Sequence, residues 1–138
     1  LCVSVDWKRP SGKRIVDKVL RWADVVIENF SSGTLERLGF GYASVSRDNP
    51  GVIYLSSCLF GQEGPLAAMA GLGTAGMALA GFVHLTGWPD IAPTPLMTHY
   101  TDYINNKLAT VVILAALEYR RRTGRGQYLD HAQVEGGI

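Results

Sequence analysis

The sequence has no apolar run long enough to span a bilayer. Its longest, residues 66–72 and 108–117, fall short of the roughly 20 residues a membrane helix needs. It has no excess of charge of either sign. Thirteen Lys and Arg stand against twelve Asp and Glu, which leaves neither a dominant basic face for nucleic acid nor a polybasic membrane anchor. Cysteine is scarce. Cys2 and Cys58 lie in apolar, strand-like runs without C-x-x-C spacing, so both are expected as buried free thiols of a reducing compartment, and the expected location is the cytoplasm. His84, His99 and His131 are scattered, with no H-E-x-x-H and no cysteine partner, so no metal site is expected. There is no P-loop and no G-x-S-x-G elbow. Gly71-Leu72-Gly73-Thr74-Ala75-Gly76 matches G-x-G-x-x-G by letter. It follows a loop and not a strand, so a dinucleotide site is not the expected reading.

What is present is material for a core. Hydrophobic residues make up 47% of the chain and charged residues 18%, a balance that excludes intrinsic disorder. A length of 138 residues bounds the chain to one domain. Sixteen glycines are the compositional oddity. The chain opens on Leu1 and closes on Gly136-Gly137-Ile138, just after a helix start. Both ends read as cut through structure, so a piece of a longer chain is expected.

The periodicity predicts a strand over residues 1–6 and a helix capped by Ser11 that runs to about Trp22. Ile15, Val16, Val19, Leu20 and Ala23 recur at helical spacing on the face expected to meet a sheet. A second strand is predicted over residues 24–30, then short helices over 34–38 and 42–48 and a third strand over 52–58. This β-α-β-α-β order is that of a parallel sheet covered by helices. Beyond it, residues 67–81 read as one Gly-rich, closely packed helix, and 84–101 as a long irregular stretch with three prolines. The longest helix is predicted over 103–122, with Gly124 as its stop, followed by a strand over 127–132 and a helix beginning near Gln133.

Two constellations could carry chemistry. Asp102 stands where the proline-rich stretch gives way to the long helix. It reads first as an N-cap or first-turn acid favoured by the helix dipole; the same geometry also allows a carboxylate held ionised and oriented for nucleophilic attack. Asn29-Phe30 follows the second strand, with Arg37 eight positions on and Lys8 just after the first strand. Ligands collect at the carboxyl ends of parallel strands, where these residues could hold phosphate and adenine against an apolar wall. A turn and a solvated helix arginine would look the same.

The chain carries Arg9-Pro10-Ser11-Gly12-Lys13, Ala23-Asp24-Val25-Val26-Ile27-Glu28-Asn29-Phe30 and Gly33-Thr34-Leu35-Glu36-Arg37-Leu38-Gly39. It continues with Asn49-Pro50, Ile53-Tyr54 and Phe60-Gly61-Gln62-Glu63-Gly64-Pro65. Last come Ile113-Leu114-Ala115-Ala116-Leu117-Glu118 and Arg122-Thr123-Gly124-Arg125-Gly126-Gln127. Taken in order, these stretches resemble the family III CoA-transferases, the group that includes formyl-CoA transferase and the CaiB and BaiF proteins.

The resemblance implies an α/β fold, a Rossmann-like parallel sheet with flanking helices. Residues 1–138 would then form part of the large CoA-binding domain of a longer chain that assembles as an interlocked homodimer. It implies an enzyme that moves CoA from an acyl-CoA donor to a carboxylic acid, with acyl-CoA as substrate and no permanently bound cofactor. Asp102 matches the family's catalytic aspartate, which forms a mixed anhydride with the acyl group. The family's CoA contacts fall on Val5, Lys8, Asn29, Phe30 and Arg37, with Lys8 and Arg37 as partners for phosphate. Some members carry an arginine after the phenylalanine, where this chain has Ser31. Related α-methylacyl-CoA racemases have a G-H-D pattern in the Gly-rich segment. Leu72 stands here in place of that histidine, which removes one of the two acid/base groups racemisation needs. A paralogue that binds acyl-CoA without turnover, or a fragment with no activity of its own, is the remaining alternative.

Overall fold

A computed structural model describes residues 2–95 and 98–138. Three parallel strands, β1 (Val25–Glu28), β2 (Ile53–Cys58) and β3 (Gln127–Ala132), pair in the order β1-β2-β3. Val25 stands opposite Ile53, and Ile53 opposite Gln127. The parallel α/β expectation therefore holds. β2 is the central strand, with Ile53, Tyr54 and Leu55 wholly buried, because helices cover both of its faces.

On one face lie α1 (Pro10–Trp22), α2 (Thr34–Leu38) and α3 (Tyr42–Asp48). Val45 of α3 packs with Val52 and Tyr54, and Leu20, Val26, Leu35 and Tyr42 close around them. Inside this cluster the Tyr54 hydroxyl donates to the Phe40 carbonyl at 3.1 Å. Burial pushes the Tyr54 phenol above its ordinary pKa, so it stays a donor. The opposite face is covered by α6 (Tyr100–Thr123). At the far end of α6, Arg120 bonds the Gly51 carbonyl at 3.2 Å and the Asp24 carboxylate at 3.0 Å. That ties the helix to the loops that enter β1 and β2. Between β2 and α6 run α4 (Gly73–Leu79) and α5 (Phe82–Leu85), and α7 (Gln133–Gly136) follows β3. None of these helices is long and apolar enough to cross a membrane.

The structure corrects several expectations. Leu1 of the first predicted strand lies outside the described residues, and residues 2–6 form no strand. Alternation supplies a face but not a ladder partner, and among the described residues none lies beside this segment. Cys2 is accordingly exposed, while Cys58 is buried as expected. Ser11 is no cap: α1 starts at Pro10 after Arg9, where the fixed proline φ suits a first turn. On α1, Leu20 reaches the core, but Ile15 and Val19 stay about half exposed. Both line an open apolar cleft with Val3, Val5 and Trp7.

β1 ends at Glu28 rather than Phe30, because the Phe30 N–H turns off the ladder to the Glu28 carboxylate at 2.8 Å. The helix expected over 67–81 is instead a turn, an extended run and then α4. Gly81, at φ 86°, separates α4 from α5. α5 and the first turn of α6 shorten the irregular stretch expected over 84–101. Leu96 and Met97 of that stretch lie outside the described residues. The Gly124 stop is as expected, at φ 72° with its N–H bonded to Arg120.

In the intact protein, Tyr54→Phe is expected to lower the unfolding free energy by about 1–2 kcal/mol, since it strands a buried carbonyl. Urea denaturation reads this as a lower midpoint at an unchanged slope. An unchanged midpoint would mean that the bond contributes nothing.

Candidate active site

The carboxyl ends of the strands open into a small cavity of about 120 Å³. Asn29, Phe30, Ser31 and Ser32 form one wall, and Leu59 and Gly71 lie among the residues of the other. Asn29 and Phe30 thus stand where the topology leads a ligand to the sheet edge. Phe30 also lines the apolar cleft on its other side, and Val5 belongs to that cleft. Lys8 is exposed in the turn before α1, its N–H donating to Asp6 at 3.1 Å. Arg37 folds back from α2 onto the loop after β1, donating to the Ser32 carbonyl at 3.3 Å and the Thr34 hydroxyl at 2.9 Å. Gly33, at φ 68°, turns this loop. Its missing Cβ would lie 3.0 Å from the guanidinium. Cys58 also borders the cavity, but burial and then the charges of Asp130 and Glu28 push its thiol up. A neutral thiol is not a nucleophile.

Asp102 is placed by a different contact. The α6 helix begins at Tyr100, so Asp102 sits within the first turn and not ahead of it. Its N–H donates to the His99 carbonyl at 2.9 Å. Its half-buried carboxylate lies against the first residue of α4. A Cβ on Gly73 would overlap Asp102 Oδ2 and stand 2.7 Å from Asp102 Cγ. The neighbouring Thr101 is fully buried, and its hydroxyl donates to the Gly73 carbonyl at 3.1 Å. A Cβ on Gly76 would crowd Thr101 Oγ1 at 3.1 Å and Leu59 Cδ1 at 2.8 Å. One turn on, Asn105 donates to the carbonyls of Thr101 and Gln133, the latter at 2.8 Å. Gly136 of α7 leaves room for its Oδ1.

The G-x-G-x-x-G letters are thereby explained. Gly71 clears Leu59, Gly73 clears Asp102 and Gly76 clears Thr101. These are packing glycines and not a phosphate loop. The start of a long helix favours negative charge, and His99 is held by the Thr74 hydroxyl at 2.9 Å. The arrangement offers one oriented carboxylate against Gly73, which stands two residues along the backbone from the cavity wall at Gly71. Among the described residues no cluster could hold a metal ion.

The structure brings Asn29 and Phe30 together, with Arg37 behind them. Val5 and Lys8 lie on the α1 side, and Asp102 lies behind the 71–73 run. Sequence reasoning assigned no role to Gln62, whose side-chain amide joins the loop after β1 to the ends of β1 and β2 and whose main-chain N–H meets Asp130 within β3. It also missed Ser57 and His131, cross-strand neighbours with Oγ and Nδ1 3.2 Å apart. Burial pushes the His131 pKa down. Only strand register joins that pair, since the two residues are far apart in sequence.

The family model of CoA-transferase family III matches residues 1–138. The succinyl-CoA–D-citramalate CoA-transferase of Chloroflexus aurantiacus is 37% identical over 134 residues, covering 97% of this chain and 33% of the relative. The acetyl-CoA:oxalate CoA-transferase of Acetobacter aceti is 36% identical over 137 residues, covering 99% and 35% respectively. The crystal structure of a CaiB/BaiF family protein from Brucella suis matches at a TM-score of 0.94 and 35% identity. It covers 98% of this chain and 36% of that one. The chain spans about a third of the length of the curated relatives it matches.

A helical Gly→Ala change ordinarily gains up to about 1 kcal/mol. Gly73→Ala in the intact protein is instead expected to destabilise by about 2 kcal/mol, the scale of overpacking. In an Asp102→Ala background part of that loss is expected to vanish, the remainder being the approach to His99 Cβ at 2.8 Å. A double-mutant cycle read by thermal unfolding checks the coupling; additive effects would separate Gly73 from the carboxylate.

Proposed function

The chain belongs to CoA-transferase family III, and from that premise we propose that the protein containing it moves CoA from an acyl-CoA donor to a carboxylic acid acceptor. The observation that carries the reading is the Asp102 carboxylate, held in the first turn of α6 over the side-chain-free surface of Gly73. Asp102 is the proposed nucleophile. Its Oδ attacks the thioester carbonyl, the C–S bond breaks, and CoA leaves as the thiolate. The acyl group is then joined to Asp102 as a mixed anhydride, which retains the activation of the thioester. The acceptor carboxylate attacks the aspartyl carbonyl of the anhydride and displaces the donor acid as its carboxylate; the CoA thiolate then attacks the acceptor's carbonyl, forming the new C–S bond and releasing the Asp102 carboxylate. The names of the similar Chloroflexus and Acetobacter proteins each pair an acyl-CoA with a carboxylic acid, which supports this substrate class.

Asn29 and Phe30 are the proposed wall for the CoA nucleotide, and Val5 extends the apolar side. Lys8 and Arg37 supply exposed cations for its phosphates. Ser31 leaves the loop with one cation fewer than members that carry arginine there. No permanently bound cofactor enters the scheme, and the intact protein is proposed to act as a homodimer. Racemisation is not favoured, because the position that would need a histidine is Leu72, the residue that precedes α4.

The intact protein incubated with acyl-CoA and quenched with hydroxylamine is expected to carry a hydroxamate at Asp102, located by peptide mass spectrometry. Asp102→Ala is expected to abolish the label and lower kcat by at least about a thousandfold. Transfer that proceeds without a label at Asp102 would remove it as the nucleophile.

A further inference from the structure

We propose that Gln62 is the positioning residue of the acyl-CoA site, locking the loop that carries Asn29 and Phe30 to the ends of β2 and β3. The inference rests on the reading of that loop as the CoA wall and adds the residue that holds it in shape.

Gln62 uses every polar group it has. Its side-chain Oε1 accepts the Gly33 N–H at 2.9 Å, and its carbonyl accepts the Ser32 hydroxyl at 2.9 Å. Its N–H donates to both carboxylate oxygens of Asp130, at 3.0 and 2.9 Å. Its Nε2 reaches Glu28 Oε1 at 3.4 Å and Cys58 Sγ at 3.5 Å. One residue thereby joins the loop after β1 to β1, β2 and β3.

The chemistry demands an amide at this position. Glu28 is 8% exposed, and among the described residues no cation pairs with it. A buried carboxylate needs donors, and here they are the Phe30 N–H and the Gln62 amide. The same amide must accept from Gly33. Only a group with a donor and an acceptor on adjacent atoms does both. The loop is then pinned at Phe30 through Glu28 and at Gly33 through Gln62; of the cavity-lining residues, Asn29 stands just before the first pin and Ser31 and Ser32 lie between the two. Gly61, at φ 79°, and Gly64, at φ 98°, turn the chain so that Gln62 points back into the junction.

Gln62→Glu converts this into a pH-dependent junction. The introduced carboxyl faces Glu28 from β1 and the Cys58 thiol from β2, with the Asp130 carboxylate of β3 held on the same residue's main-chain N–H and Arg37 on the outer side of the same loop. Two like charges raise its pKa. Protonated, it accepts from Gly33 and donates to Glu28 as the amide does; ionised, it can only repel Glu28.

The test is steady-state transfer by the intact protein. Gln62→Ala is expected to raise KM for acyl-CoA on the order of tenfold, as loss of a supporting contact does. Its kcat and its KM for the acceptor acid should stay within about twofold of wild type. Gln62→Glu is expected to show a raised KM for acyl-CoA near pH 8 that falls towards the wild-type value by about pH 6, following a carboxyl raised by its neighbours. Should Gln62→Ala not fold, the pH series of Gln62→Glu decides alone. Asn29→Ala serves as the reference for the site. If it raises KM while both Gln62 variants behave as wild type, the latch is wrong and the site stands. If Asn29→Ala has no effect either, the site reading has failed and the latch falls with it. Equal changes in both KM values, or a pH-independent Gln62→Glu, would also overturn the proposal.

Discussion

Three helices meet where side chains are missing, and the placement of the candidate nucleophile depends on that contact. Gly73 and Gly76 of α4 and Gly136 of α7 bring backbone against Asp102, Thr101 and Asn105 on α6. Close approach lets Thr101 and Asn105 bond main-chain carbonyls of neighbouring segments instead of water. A buried hydroxyl or amide is costly unless so bonded. The same hydrogen bonds therefore satisfy the Thr101 hydroxyl and the Asn105 amide nitrogen and set the rotation of α6, and with it the direction of Asp102. Glycine's conformational freedom matters little at Gly73 and Gly76; what matters is the volume left by the absent Cβ.

The sheet provides the second half of the site by a different means. Its strands end at one edge because they are parallel, so the loops after β1 and β2 and the start of α7 converge there. Converging loops still need a shape, and here polar bonds supply it. Glu28 turns Phe30 out of the ladder, Gln62 bonds Gly33, and Asp130 anchors Gln62. The cavity edge at Leu59 and Gly71 joins the two halves, since Leu59 also packs against Gly76 beside Thr101. Movement in α4 would therefore be felt both at the cavity wall and at the carboxylate.

Much of the fold was legible in the sequence. The apolar centres around Val25 and Ile53 predict strands within one or two residues of those observed, and Gln127–Ala132 agrees at both ends. Gly124 marks the stop of α6 through a positive φ. Legibility failed where a segment's state depends on what lies beside it. Residues 2–6 alternate like a strand but have no neighbour to pair with among the described residues. The Gly-rich run over 67–81 has helical composition, yet its first part is extended along Leu59. In the site, Asn29, Phe30, Arg37 and Asp102 stood out as chemical types at element ends. Gln62 did not, because an amide in a turn carries no signature until its five partners are in place.

By itself, the sequence determined the kind of protein this is. Periodicity specified a parallel α/β sheet, the balance of charge left no dominant basic face, and the ordered motifs pointed to one enzyme family. These properties are local or additive, so each can be read from a window of the chain. The tertiary structure decided which glycines were packing surfaces, which side of α4 faces Asp102, and that Gln62 holds the edge of the cavity. Such contacts join residues about 30 to 70 positions apart, and hydrogen bonding and steric exclusion act only over a few ångströms. No window of the sequence contains them until the chain has folded.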